Sequence, residues 1–292
     1  MRSIGFFRNR LRTIFLADRV MTKQRSTGLK AALGALAIVA LAASAAHAAA
    51  SRWAESDGGR MRLVALPNQD GGYDAALQIE PAPGWKTYWR HPGEAGLPPL
   101  VDLDGSDNVT LASTGFPAPE IGLDEGGRFY GYHKAVDIML TLTSPAPAAP
   151  ARLKAAVMIG LCKEICLPFQ AEFDLALGPG ARPDSDEFMA LAMGRSALPE
   201  TPSDDFGIRA SRMSDDGKSL QLTLRLPAGE TPEVALAPSP GLAFGQAQFT
   251  PTAPREGVLE LPVTRRPESG PADVTILLKS GSRAMETTLA AE

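Results

Sequence analysis

Cys162 and Cys166 are the only two cysteines in 292 residues, and they stand four apart in Leu161-Cys162-Lys163-Glu164-Ile165-Cys166-Leu167. On either side, Leu153 to Leu161 and Phe169 to Leu177 alternate apolar and polar residues, so each side reads as a strand. Along a straight strand, residues four apart lie about 13 Å from each other at roughly 3.3 Å per residue. A disulfide needs Cα atoms within about 4.4–6.8 Å. A bonded pair therefore requires a turn, which predicts a hairpin with the cysteines facing each other across its tip. Closing a loop of about five residues constrains the unfolded chain by only about 2 kcal/mol. Such a bridge is a poor stabiliser, whereas a tight bridge at an edge suits thiol–disulfide exchange. Lys163 favours a neighbouring thiolate and Glu164 opposes it.

Three chemistries fit the pair: redox exchange, a structural hairpin clip, and a soft metal site for copper or zinc helped by His91, His133 or a methionine. The first is preferred, because a stabilising clip would join distant strands and a zinc site wants four ligands at recognisable spacing. Only three histidines exist, one of them, His47, in the leader described below. His91 and His133 read as polar surface or turn residues. No catalytic triad, phosphate loop or metal-hydrolase motif is found, and no cofactor is implied.

The elements that must position the pair are strands. Gly (28) and Pro (25) are scattered, which suits many short strands joined by turns. Arg60 to Leu66, Tyr73 to Ile79 and Ala135 to Leu142 read as strands beside the two already named. The last of these five, Phe169 to Leu177, has Phe169, Ala171, Phe173, Leu175 and Leu177 on one face. That period of two excludes an amphipathic helix. Asp184 to Gly194 has the composition of a short helix. Ser219 to Leu226, Val258 to Val263 and Val274 to Leu278 continue the β pattern. The expected architecture is all-β: two β-sandwiches at 51–180 and 201–292, joined by a helical linker over 181–200.

The leader bounds the compartment. Met21 to Lys30 is basic, Ala31 to Ala43 is an unbroken run of small and apolar residues, and Ala46-His47-Ala48 offers a small-x-small cleavage site. This is the layout of a secretory signal peptide over 1–48, with Met21 the expected initiator and 1–20 an over-long start. The apolar run is shorter than the roughly 20 residues a spanning helix needs. Residues 1–48 hold eight of the 29 basic and one of the 33 acidic residues, which leaves the remainder at a net charge of −11. That argues against nucleic acid or an anionic membrane surface as partner. The expected product is a periplasmic protein without stable membrane insertion, in a compartment where disulfides persist.

Four motifs carry a family resemblance. Gly84-Trp85-Lys86-Thr87-Tyr88-Trp89-Arg90-His91-Pro92-Gly93 is followed by Gly96-Leu97-Pro98-Pro99. Then come Phe116-Pro117-Ala118-Pro119, Phe129-Tyr130-Gly131-Tyr132, and the cysteine motif ending Leu167-Pro168. In this order they resemble the N-terminal periplasmic domain of the disulfide reductase DsbD, and more so its suppressor-of-copper-sensitivity branch, over about 60–180. The second half resembles the family's second β domain only loosely.

The resemblance implies an immunoglobulin-like sandwich whose cysteine pair passes electrons from a membrane-embedded donor to periplasmic thioredoxin-fold proteins. On that pattern Cys166 exchanges with the partner and Cys162 resolves the mixed disulfide. Phe129 matches the aromatic of a cap loop, with Gly126-Gly127 giving it freedom to move, and Tyr130, Trp85 and Tyr88 line the site. Ordinary core packing is the competing reading for these aromatics, and the stronger one for Trp85 and Tyr88. Full-length family members continue into membrane helices and a thioredoxin domain that this sequence lacks, so the donor is expected to be a separate protein. The alternative class is a non-enzymatic scaffold or copper-handling module that keeps the fold and uses the pair as a clip or metal site.

Overall fold

Short β-branched and apolar runs broken by Gly and Pro give strands wherever two such runs can pair. The computed structural model describes residues 50–178, 184–227, 231–270 and 272–291. The signal-peptide reading of 1–48 lies outside them, as do 179–180 at the end of the first sandwich and 181–183 of the linker.

The first half runs β1 (Ala54–Ser56), β2 (Gly59–Pro67), β3 (Tyr73–Pro81), β4 (Thr87–Gly93), β5 (Leu100–Asp102) and β6 (Thr110–Gly115). It continues with β7 (Glu120–Asp124), β8 (Gly127–Tyr132), β9 (Val136–Thr143), β10 (Ala151–Cys162) and β11 (Cys166–Leu177). After helix α1 (Ser185–Ser196) come β12 (Gly207–Met213), β13 (Ser219–Arg225), β14 (Glu233–Pro238) and β15 (Ala243–Phe244). The last strands are β16 (Gln248–Ala253), β17 (Glu256–Arg265), β18 (Asp273–Ser280) and β19 (Arg283–Ala290).

Pairing is antiparallel throughout these strands. One sheet has the order β1-β2-β3-β9-β6, a second β11-β10-β5 and a third β4-β8-β7. In the second half β12-β13-β17-β15 forms one sheet, with β16 also on β17, and β14-β18-β19 another. The strands expected at 60–66, 73–79, 153–161 and 169–177 lie within β2, β3, β10 and β11, and the one expected at 135–142 coincides with β9 except at Ala135. The short strands β4 to β8 escape the periodicity, because they are brief and interrupted by Gly and Pro.

Met61, Leu63 and Ala65 of β2 meet Leu77 and Ile79 of β3 and Leu153, Val157 and Ile159 of β10 in the main cluster. The alternation in β2 is not clean, because Val64 and Leu66 are also buried. They pack, with Ala76 and Met139, against Leu191 of α1. The helix thus covers the outer face of the first sheet. Gly194 allows this close approach, since a Cβ there would stand 2.5 Å from Met139 Sδ. Asp184 caps α1 in a reciprocal capping box with Glu187, which fixes where the helix starts.

A second cluster joins Phe206, Leu220, Leu222 and Leu224 to Leu259, Leu261, Ile276 and Leu278. Strand β18 faces both ways. Its Ile276 and Leu278 enter this second cluster, while Leu277, with Ala235 of β14, packs into the first. All described residues fall in one compact unit. No helix among them is long and apolar enough to cross a membrane.

Candidate redox site

The β10–β11 hairpin pairs residue for residue over twelve positions and ends on Cys162 opposite Cys166. The two form a disulfide, with Cα atoms 4.1 Å apart, and residues 163–165 make the turn. On its other edge Cys162 exchanges two backbone hydrogen bonds with Lys86: each N–H donates to the other's carbonyl at 2.9 Å. The GW-K motif is therefore the strap that holds the end of β10.

The two sulfur-bearing residues differ in access. Cys162 is 3% exposed and clusters with Tyr88 and Phe129. Cys166 is exposed, flanked by exposed Ile165 and Leu167. The Tyr88 hydroxyl stands 3.4 Å from Cys166 Sγ. Burial, and then the negative charge of Asp124, pushes the Tyr88 phenol up from its usual range, so it stays protonated as a hydrogen-bond donor.

Phe129 lies on β8, so the cover is a strand of the β7–β8 hairpin rather than the loop expected from sequence. Its ring rests on Gly122 across the ladder, where an added Cβ would come within 2.2 Å of the ring. The Lys86 ammonium sits 4.2 Å from the ring centroid and pairs with Asp124 at the end of β7. Lys86 thus ties the cover to the strap under Cys162. The hydrogen bond from Lys86 holds the Asp124 carboxyl below the usual carboxylate range. His133 meets the Phe129 ring edge-on at 5.6 Å and pairs with Glu120 at 2.8 Å.

The Gly-Leu-Pro-Pro motif acts through its glycine. Gly96, at φ +128°, lies against the Tyr88 ring, where a Cβ would come within 2.5 Å. Leu97 in turn lies over Gly160 of β10, which could hold no side chain there. The segment is wedged between the tyrosine and the cysteine strand, which fixes the Tyr88 hydroxyl beside Cys166.

Of the four aromatics picked from sequence, Tyr88 and Phe129 touch the pair. Trp85 lies half-buried over Gly58 and beside Leu161, one residue from the site. Tyr130 is separate from it: side chains alternate along β8, and this one packs edge-on against Trp89, 6.0 Å between centroids, in the main cluster. His91 is not a surface turn residue. It belongs to β4, is half-buried, and its burial lowers the imidazole below its ordinary range, so it is neutral near pH 7. Periodicity gave no hint of Lys86 or Asp124, whose pairing depends on bringing β4 and β7 together. Among the described residues no three His, Cys, Asp or Glu groups converge as metal ligands.

Residues 60–178 match the family described as thiol:disulfide interchange protein DsbD, N-terminal. Among solved structures, the N-terminal periplasmic domain of ScsB from Proteus mirabilis is similar, with TM-score 0.63 and 21% identity over 83% of this chain and 98% of that one. That identity speaks for a shared fold. A marsupial T cell receptor aligns at TM-score 0.20 and 13% identity, over 82% of this chain and 99% of that one, too weak a likeness to weigh. No curated protein sequence matches.

Proposed function

We propose that this chain, whose residues 60–178 belong to the family of the DsbD N-terminal domain, is a thiol–disulfide exchange protein that passes electrons through Cys162 and Cys166. The observation that carries this reading is the unequal access of the two cysteines. In the reduced protein the exposed Cys166 thiolate attacks a partner disulfide, forming a mixed disulfide and releasing one partner sulfur as a thiolate. The covered Cys162, as thiolate, then attacks Cys166 Sγ. The Cys162–Cys166 bond forms, the second partner sulfur leaves as thiolate, and two electrons have passed to the partner. A donor dithiol reverses these steps. Tyr88 is placed to donate a hydrogen bond to Cys166 sulfur, which favours its thiolate. Phe129 shields Cys162 from adventitious oxidants in an oxidising compartment.

Thioredoxin-fold proteins are the partners this family implies, with a membrane-embedded donor. We read 1–48 as the export signal that delivers the chain to the periplasm, 51–180 as the exchange domain, 181–200 as a connector and 201–292 as a second sandwich. A trapping experiment tests the exchange. Cys162→Ala should accumulate mixed disulfides through Cys166 in the periplasm, and Cys166→Ala should not. Equal trapping by both variants, or by neither, together with a reduction potential below about −300 mV, would instead mark the pair as a structural clip.

A further inference from the structure

A cavity of about 560 Å³ opens on the face of β8 opposite Phe129, between β4 and β8 on one side and β14, β15 and the end of β17 on the other. That is the size of a pocket for a small molecule or a few residues of peptide. Its two walls differ in chemistry. One is apolar, with Leu236 buried and Phe244 half-buried. That wall ends in Arg265 of β17, while the facing wall carries His91, Glu94 and Arg128.

The arginines give the cavity its positive charge. Arg90, Arg225 and Arg283 each pair with a carboxylate. Neither Arg128 nor Arg265 forms a salt bridge among the described residues. Arg128 shares the cavity with the Tyr130 side chain and Glu94. In a chain whose net charge is −4, two cations facing one cavity and one carboxylate leave a local positive excess. Guanidinium groups favour planar two-oxygen anions because their donors match that geometry. Strands β14 and β15 are also edge strands, each paired on one side only, so main-chain groups border the apolar wall. We propose that this cavity binds an apolar chain ending in a carboxylate, with the acid between Arg128 and Arg265 and the chain along Leu236 and Phe244.

The acid could belong to a free small molecule or to the C-terminus of a polypeptide, and calorimetric titration of the full chain separates these. The probes are octanoate, N-acetyl-Ala-Ala-Leu with a free carboxylate, and the same peptide as its amide. Saturable binding of octanoate alone assigns a small acid, and binding of the free-acid peptide assigns a polypeptide end. The amide should bind at least about tenfold more weakly, the worth of one charge-assisted pair. Arg265→Gln, at an exposed position, should cost about tenfold for the acids, Arg265→Lys should recover part of it, and Glu94→Gln should tighten binding. Absence of saturable binding by any probe, equal affinity for acid and amide, or an unchanged affinity in Arg265→Gln would overturn the assignment. None of these readings depends on the cysteines, so failure of the exchange reaction would leave the result intact.

Discussion

Cys162 and Cys166 share one chemistry and differ in their surroundings. The hairpin register puts both at the ribbon end, but only Cys162 lies beneath the Phe129 ring. In the reduced protein, iodoacetamide should therefore modify Cys166 first. If the covered form dominates and opens to between about 0.1 and 10%, Phe129→Ala should speed alkylation of Cys162 by roughly ten- to a thousandfold. Cys166 should react at its former rate. Mass spectrometry of the labelled peptides separates the two rates, and equal acceleration of both would mean that Phe129 acts on the whole hairpin rather than on Cys162. Truncating a ring that is 7% exposed should also cost about 3 kcal/mol, so the labelling belongs well below the melting temperature.

At the scale of elements, the cover depends on β4 holding β7. Lys86→Met keeps the aliphatic stem but removes the ion pair with Asp124 and the charge over Phe129. The Asp124 side chain is 38% exposed, so the contact is partly screened, and a loss of about 1 kcal/mol is reasonable. Cys162 alkylation should then rise about fivefold, less than in Phe129→Ala.

A second link runs from β4 to β19, where Arg90 meets Glu286 at 2.9 Å. Among the described residues Arg90 Nε and Glu286 Oε2 find no partner, so a single hydrogen-bonded contact stands against the burial of both groups. Burial accordingly raises the Glu286 carboxyl above its ordinary value despite the arginine. A raised folded value means the native state holds the proton more tightly than the unfolded chain. The stability it lends is complete below the ordinary carboxylate range and is lost as pH rises through the raised value. Melting temperature measured across that window should fall more for the wild type than for Glu286→Gln. Parallel curves would rule out this group as the source.

For the whole molecule, the decisive feature is β18, which presents Leu277 to one cluster and Ile276 and Leu278 to the other. Two halves that share a strand with a buried core residue on each face should unfold together. Calorimetry is expected to give one transition, and Leu277→Ala, by opening a cavity at about 2–5 kcal/mol, should lower it without splitting it. Two well-separated transitions would mean that the halves are stable independently.

Read by itself, the sequence determined what local chemistry dictates. Period-two patterning located β2, β3, β9, β10 and β11, because each long strand must alternate if one face is buried. The four-residue spacing required a turn between the cysteines if they were to bond, because no straight strand can close that gap. The tertiary structure decided which cysteine is covered, that Tyr130 turns away from the pair while Phe129 faces it, and that Lys86 and Asp124 secure the cover. It also decided that β18 sends Leu277 into one core and Ile276 and Leu278 into the other, and that Arg128 and Arg265, from different strands, line one cavity. These features depend on strands far apart in the chain coming side by side, and the interactions that bring them together leave no periodic trace in either strand alone.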